Sequence, residues 1–156
     1  MGFNGITPVL FESVSNTTAT LGANSPELGA RCVVSGEEYL YVYNGGGASI
    51  TAGNAVIISG ISSKTWAVTV SSITQVGFGI GICKHSTIAT AYYGWVMTKG
   101  FASFETAGTI NALGGGLMLG ADGNMSTAIA GHTTPICGNI LKTTTAGSGF
   151  GYFNFG

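Results

Sequence analysis

Glu38-Tyr39-Leu40-Tyr41-Val42-Tyr43 reads as a β-strand. Successive side chains of a strand point to opposite faces, so Tyr39, Tyr41 and Tyr43 share one face while Leu40 and Val42 share the other. The run closes on Asn44-Gly45-Gly46-Gly47, a turn with free access to positive φ. Upstream, Arg31 to Val34 is a weaker strand. Downstream, Thr51-Ala52-Gly53-Asn54 is a turn before a strand at Ala55 to Ile58, and Thr65 to Val70 alternates as a half-buried strand does.

The same rhythm continues to the end of the chain. Val76 to Cys83 reads V-G-F-G-I-G-I-C, with Gly77, Gly79 and Gly81 on one face and Val76, Phe78, Ile80 and Ile82 on the other. A bare glycine face predicts close approach by another backbone or ring. Ile88 to Lys99 is a further strand, and Phe101 to Phe104 a short one after Gly100. Leu113 to Leu119 leads into Asp122-Gly123, a hairpin turn, with a return at Met125 to Ala130. Pro135 to Leu141 and Phe150 to Phe155 supply the last strands. No segment makes a convincing helix. Short strands between turn signals every ~8–12 residues predict an all-β fold, a compact β-barrel or β-sandwich.

Residues 1–29 lack this rhythm. They are rich in Asn, Ser, Thr, Gly and Ala, with isolated apolar residues at Phe3, Ile6, Val9, Leu10 and Phe11, and Pro8 and Pro26 oppose helix. They read as an extended N-terminal arm, either ordered against a partner or folded back on its own domain at 30–156.

Composition narrows the function. Five basic and six acidic residues in 156 are far fewer than the quarter of charged residues in an ordinary domain. Little is left with which to build an acid–base or metal site. No basic run supports nucleic-acid or anionic-membrane binding, and no stretch approaches the ~18 apolar residues of a membrane helix. The odd count of three cysteines, Cys32, Cys83 and Cys137, argues against a disulfide framework and for buried thiols.

Candidate chemistry is sparse. Glu37 and Glu38 are adjacent and point to opposite faces of a strand, while Glu105 and Asp122 fall at strand ends. Cys83 with His85, and His132 with Cys137, match no strong zinc spacing, so no metal or cofactor is expected. Gly45-Gly46-Gly47 and Gly114-Gly115-Gly116 lack the lysine and helix of a phosphate loop. Tyr92, Tyr93 and Trp95, clustered around Gly94, are candidates for core or subunit interface, and a sugar-stacking platform is the alternative use of such aromatics.

The order of these elements resembles the small capsid decoration proteins of tailed bacteriophages. The resemblance runs over residues 36–141 and rests on the Tyr-rich strand, Ile50-Thr51-Ala52-Gly53-Asn54-Ala55-Val56, and Val76-Gly77-Phe78-Gly79-Ile80. It continues through Tyr93-Gly94-Trp95-Val96 with Gly100, Gly116 to Leu119 with Asp122-Gly123, and Ile136 to Leu141. The chain departs from that pattern in its glycine-rich end after Thr143. The resemblance implies a β-tulip-like barrel on the outer surface of the virion, often a homotrimer, that cements neighbouring subunits of the major capsid protein. The arm commonly makes that contact, which here singles out Phe3, Ile6, Pro8 and Phe11. A protein of this kind is not an enzyme and takes no small-molecule substrate. The alternative is a tail-fibre or receptor-binding carbohydrate-recognition domain.

Overall fold

The computed structural model of the protein describes residues 14–22, 25–62, 65–70, 79–106, 108–110, 113–127, 136–142 and 147–156. Among them lie β1 (Arg31–Val34), β2 (Glu37–Asn44), β3 (Ala55–Ser62), β4 (Thr65–Val70) and β5 (Gly79–Ile82). These are followed by β6 (Tyr93–Thr106), β7 (Gly116–Leu119), β8 (Met125–Thr127), β9 (Gly138–Lys142) and β10 (Gly147–Asn154). The one helical element among the described residues is the 3-10 turn Ala121–Gly123.

Five strands close on themselves in the order β2-β4-β3-β5-β6, with β6 pairing back onto β2. β2 runs parallel to β4, and the other pairs are antiparallel. β1 is added to β2 through a two-residue hairpin, Ser35-Gly36, in which both residues take positive φ. A second layer leaves the barrel through the far half of β6, in the order β6-β10-β9-β7-β8.

This layering explains why the Tyr-rich strand is apolar on both faces. Leu40 and Val42 point into the barrel, where they pack with Ile50, Val56, Val68, Cys83, Ile88 and Val96. Tyr39 and Tyr41 point outward and are equally buried, because Trp95, Met97, Phe104, Leu117, Ile140 and Phe153 cover them. The second layer therefore seals the outside of the barrel wall as a sandwich sheet would.

β6 is one strand of 14 residues, not the two expected on either side of Gly100. Lys99 faces Glu38 of β2 and also Asn154 of β10, so the strand changes partners there. Gly100 sits just past that exchange at φ +140, and a Cβ on it would lie 2.8 Å from Glu37 Cγ. The glycine permits a sharp change of direction without ending the strand. The strand also starts later than expected. Ala91 turns the chain at φ +64, β6 begins at Tyr93, and Ile88 makes only an isolated bridge to Ile50.

The β5 glycines are closely approached, as their bareness predicts, but they do not share the expected face: Gly81 meets the barrel interior and Gly79 the outer cluster. A Cβ on Gly81 would lie 2.9 Å from the Met97 carbonyl oxygen and 3.0 Å from Val96 Cγ2. One on Gly79 would lie 2.9 Å from Leu119 and 3.1 Å from the Phe155 ring. Ile80 and Ile82 do not share a cluster, however. Between Gly81 and Gly79 the ladder with β3 advances by one residue only, from Val56 to Ile57, leaving Ile80 as the extra residue of a bulge. Residues 71–78 of the expected strand lie outside the described residues.

The remaining turns divide in the same way. Asp122 and Gly123 both take positive φ in the β7–β8 hairpin, within a longer connection closed by Gly120 N–H donating to the Asn124 carbonyl at 2.8 Å. The three glycines after Asn44 take none. Asn44 holds that turn instead, its amide donating to the Ala48 and Ile88 carbonyls at 2.9 Å while its Oδ1 accepts from Gly46 N–H at 3.0 Å.

Of residues 1–29, the described portion lies against the domain. Thr18 and Tyr93 exchange backbone hydrogen bonds of 3.0 and 2.8 Å, the Ser15 carbonyl accepts from the Ser86 hydroxyl, and Val14 and Leu28 pack on the core. Phe3, Ile6, Pro8 and Phe11 lie outside the described residues.

Candidate functional site

Alternation along β6 and β10 sorts their aromatics. Ala102, Phe104 and Phe153 face inward and are buried. Phe101, Phe150 and Tyr152 face outward, Tyr152 opposite Phe101 and Phe150 opposite Ser103. Phe101 and Phe150 are 49% and 38% exposed, and their ring planes lie 8° apart at 6.3 Å between centroids. Tyr152 meets Phe101 edge-on at 5.0 Å. Leu141 is exposed beside them, in the step where β9 shifts register against Phe150–Gly151. Exposed aromatics grouped in this way form an apolar patch, which makes this face the candidate interaction surface.

The sequence signal for this face is Gly147-Ser148-Gly149-Phe150-Gly151-Tyr152. Glycine at alternate positions leaves the inner side open for the Phe104 ring, which a Cβ on Gly149 would overlap. The large residues are left for the outer side. Sequence reasoning that stops at "a last strand" misses the division.

The aromatics singled out from sequence occupy a different place. Trp95 is 6% exposed and packs on Tyr41 at 5.0 Å, so it has no open ring face for a sugar. Tyr93 is half-buried between Tyr41 and Tyr43. Tyr92 is exposed in the preceding turn, its carbonyl accepting from Asn44 N–H at 2.8 Å. Tyr93 and Trp95 thus line the outer barrel wall, and Tyr92 stands apart from them.

Lys84, Glu37, Tyr39 and His85 form a polar network. Lys84 Nζ lies 2.5 Å from both Glu37 carboxylate oxygens, and the Tyr39 hydroxyl donates to Glu37 Oε2 at 2.7 Å. Tyr39 Oη is also 2.9 Å from His85 Nε2, and the two rings stack at 5.8 Å. With the hydroxyl proton committed to Glu37, His85 Nε2–H is the donor in that contact. Glu38 points elsewhere, to Lys99 at 3.3 Å. Cys83 turns its thiol to the Ser86 carbonyl at 2.9 Å inside the barrel, away from His85. His132 lies outside the described residues. Among the described residues no three His, Cys, Asp or Glu side chains gather as metal ligands do. Burial pushes the thiols of Cys83 and Cys137 up to about 12, so neither is a thiolate nucleophile near neutral pH.

These environments set a pH profile. Burial opposes the Glu37 charge, but the bonds from Lys84 and Tyr39, the Lys84 charge and the Phe101 N–H outweigh it and hold this carboxyl below its ordinary range. Burial and the Lys84 charge lower His85, against the pull of Glu37. Burial, then Glu37, raise Tyr39. A lowered folded pKa stabilises above the unfolded value and loses that contribution as pH falls, so Glu37 and His85 act together on the acid side. A raised folded pKa stabilises below the unfolded value and loses it as pH rises, so Tyr39 and the buried thiols act on the alkaline side. The melting midpoint is expected to be flat between roughly pH 6.5 and 8.5, the unperturbed His and Cys values, and to fall on both sides. Thermal melts across pH check this; a maximum below pH 5 would contradict it.

The fold is thus an all-β domain, a closed five-stranded barrel with a second layer of strands. No family model matches the chain, and no curated protein is found similar to it. Among solved structures it shares its fold with the N base of the head fibre gp8.5 of bacteriophage phi29. The TM-score is 0.54 at 10% sequence identity, and the match covers 75% of this chain and 95% of that one.

Proposed function

We propose that this chain is a non-enzymatic structural protein of a bacteriophage virion, carried on the outer surface of the head as a decoration protein that cements the major capsid lattice. The observation that carries the reading is the fold shared with a head-fibre base over nearly the whole of that base. Composition supports it. A surface with few charges and many small residues suits dense packing against neighbours, where many weak contacts sum without one strong site. The outward aromatic face of Phe101, Phe150 and Tyr152 supplies apolar anchors for a capsid subunit, and the apolar residues Phe3, Ile6, Pro8 and Phe11 supply further contacts to it. A homotrimer at a three-fold position fits the same role.

The fold neighbour favours a second reading, the base of a fibre rising from the head. A cement protein binds many sites and raises the resistance of the head to heat or pressure. A fibre base anchors an appendage and leaves head stability unchanged.

The test is binding to purified heads lacking the protein. Removal of residues 1–13 keeps the Thr18–Tyr93 pair, and Phe101→Ser with Phe150→Ser keeps the core. Each change is expected to weaken binding by about tenfold or more, the size of effect that losing interface anchors has. Binding by both variants at wild-type strength would remove both contact assignments.

A further inference from the structure

We propose that the Glu37 carboxylate is a latch that ties the start of the second layer, and with it Phe101, to the barrel, and that acid opens it. Glu37 is the first residue of β2 and lies where β6 exchanges β2 for β10. The ladder between β2 and β6 ends at Glu38–Lys99, after a register shift at Glu38/Tyr39. Beyond it the Phe101 N–H points to Glu37 Oε1 at 3.4 Å. The carboxylate thus takes up a backbone donor that the ladder has released. Its side chain also lies across Gly100, where any Cβ would strike Glu37 Cγ.

Three elements therefore meet on one side chain. They are β6 through Phe101 N–H, the segment after β5 through Lys84, and β2 itself through the Tyr39 hydroxyl. The charged and titratable groups around it are Lys84 and His85 after β5, Tyr39 on β2, Cys32 of β1 bearing on Tyr39, and the Glu38–Lys99 pair alongside. Among the described residues Glu37 is the one carboxylate bound to Lys84, Tyr39 and Phe101 at once. A protonated carboxyl loses the attraction to Lys84 and one acceptor site, and becomes a donor where three donors already point. Protonation of His85 leaves its contact to Tyr39 in place, because that contact uses an N–H present in both of its charge states. The latch therefore follows Glu37, with His85 adding only a charge beside Lys84.

The consequence for docking rests on the reading of Phe101, Phe150 and Tyr152 as the capsid-facing surface, whereas the latch itself does not. Amide hydrogen exchange on the full chain separates the two. At neutral pH, Glu37→Gln keeps one acceptor oxygen but loses the charge and turns an NH2 toward donors, so exchange at Phe101 N–H is expected to rise by about tenfold over wild type while Ala102 and Phe104 change little, the difference between a hydrogen bond to a charged group and one to a neutral group. In wild type the same loss of protection, corrected for intrinsic exchange, is expected as pH falls through the range of the Glu37 carboxyl. It is expected to persist in His85→Gln and to be absent in Glu37→Gln. Lys84→Met, which keeps the carboxylate, should shift the transition to higher pH. Unchanged Phe101 protection in Glu37→Gln, or an acid transition that disappears in His85→Gln, would overturn the latch. If protection changes as expected but Phe101→Ser leaves head binding intact, the latch stands and the docking surface falls.

Discussion

Phe104→Ala is expected to destabilise the domain by about 3–5 kcal/mol, the range for a fully buried aromatic. The melting midpoint of a chain this size would then fall by roughly 10 °C. Phe104 is wholly buried, meets Phe153 edge-on at 6.0 Å, and sits over Gly149 and Gly151 of β10. The wall around it is backbone held in two ladders, β6 with β10 and β10 with β9. Such a wall cannot close over the space the ring leaves, so the cavity persists. Phe101→Ala, three residues away on the same strand but outward-facing, should stay within about 1 kcal/mol of wild type. Denaturant melts of the two variants check the layering directly. Equal losses would mean that the second layer does not bury Phe104 against the barrel.

Gly81→Val is expected to be at least as damaging, through the barrel itself. The added Cβ meets the Met97 carbonyl at 2.9 Å and Val96 Cγ2 at 3.0 Å. β6 cannot yield, because Val96 and Met97 are held from the other side by Leu40 and Tyr39. β5 has little to resist with, since its register with β6 rests on the single pair Ile82–Met97. The barrel opens along that seam at a loss of about 3 kcal/mol or more, the upper range for overpacking. The expected readout is loss of soluble protein or of a cooperative melt. Gly47→Ala places its methyl in open space at an ordinary φ and should change stability by no more than about 0.5 kcal/mol. A stable, cooperative Gly81→Val variant would contradict the closed barrel.

Both expectations depend on features only partly legible in the sequence. Strand identity was legible, because period-two alternation in Glu38 to Tyr43 and Thr65 to Val70 is a local property. The close approach at Gly79 and Gly81 was legible from their missing side chains, but not that the bulge at Ile80 turns the two to opposite sides of the barrel wall. Strand partners were not. That β2 lies parallel to β4 and closes on β6 depends on contacts far apart in sequence, with nothing local to signal them. Gly100 misled because a glycine between two apolar runs ordinarily ends a strand, whereas here the change of partners at Lys99 uses its φ to carry the strand through. The candidate site was half legible. Tyr93 and Trp95 stood out by size, but size marks core and surface aromatics alike. What separates Trp95 from Phe101 is the second layer, which covers the barrel wall at one and leaves its own outer side open at the other.

The proposed role on the head is tested most directly by finding the protein on particles. Purified virions, washed in high salt and analysed by quantitative mass spectrometry with surface proteolysis, are expected to hold this chain in a fixed ratio to the major capsid subunit and in a position open to protease. A chain absent from washed particles, or found only as a free monomer that turns over a small molecule, would contradict the assignment.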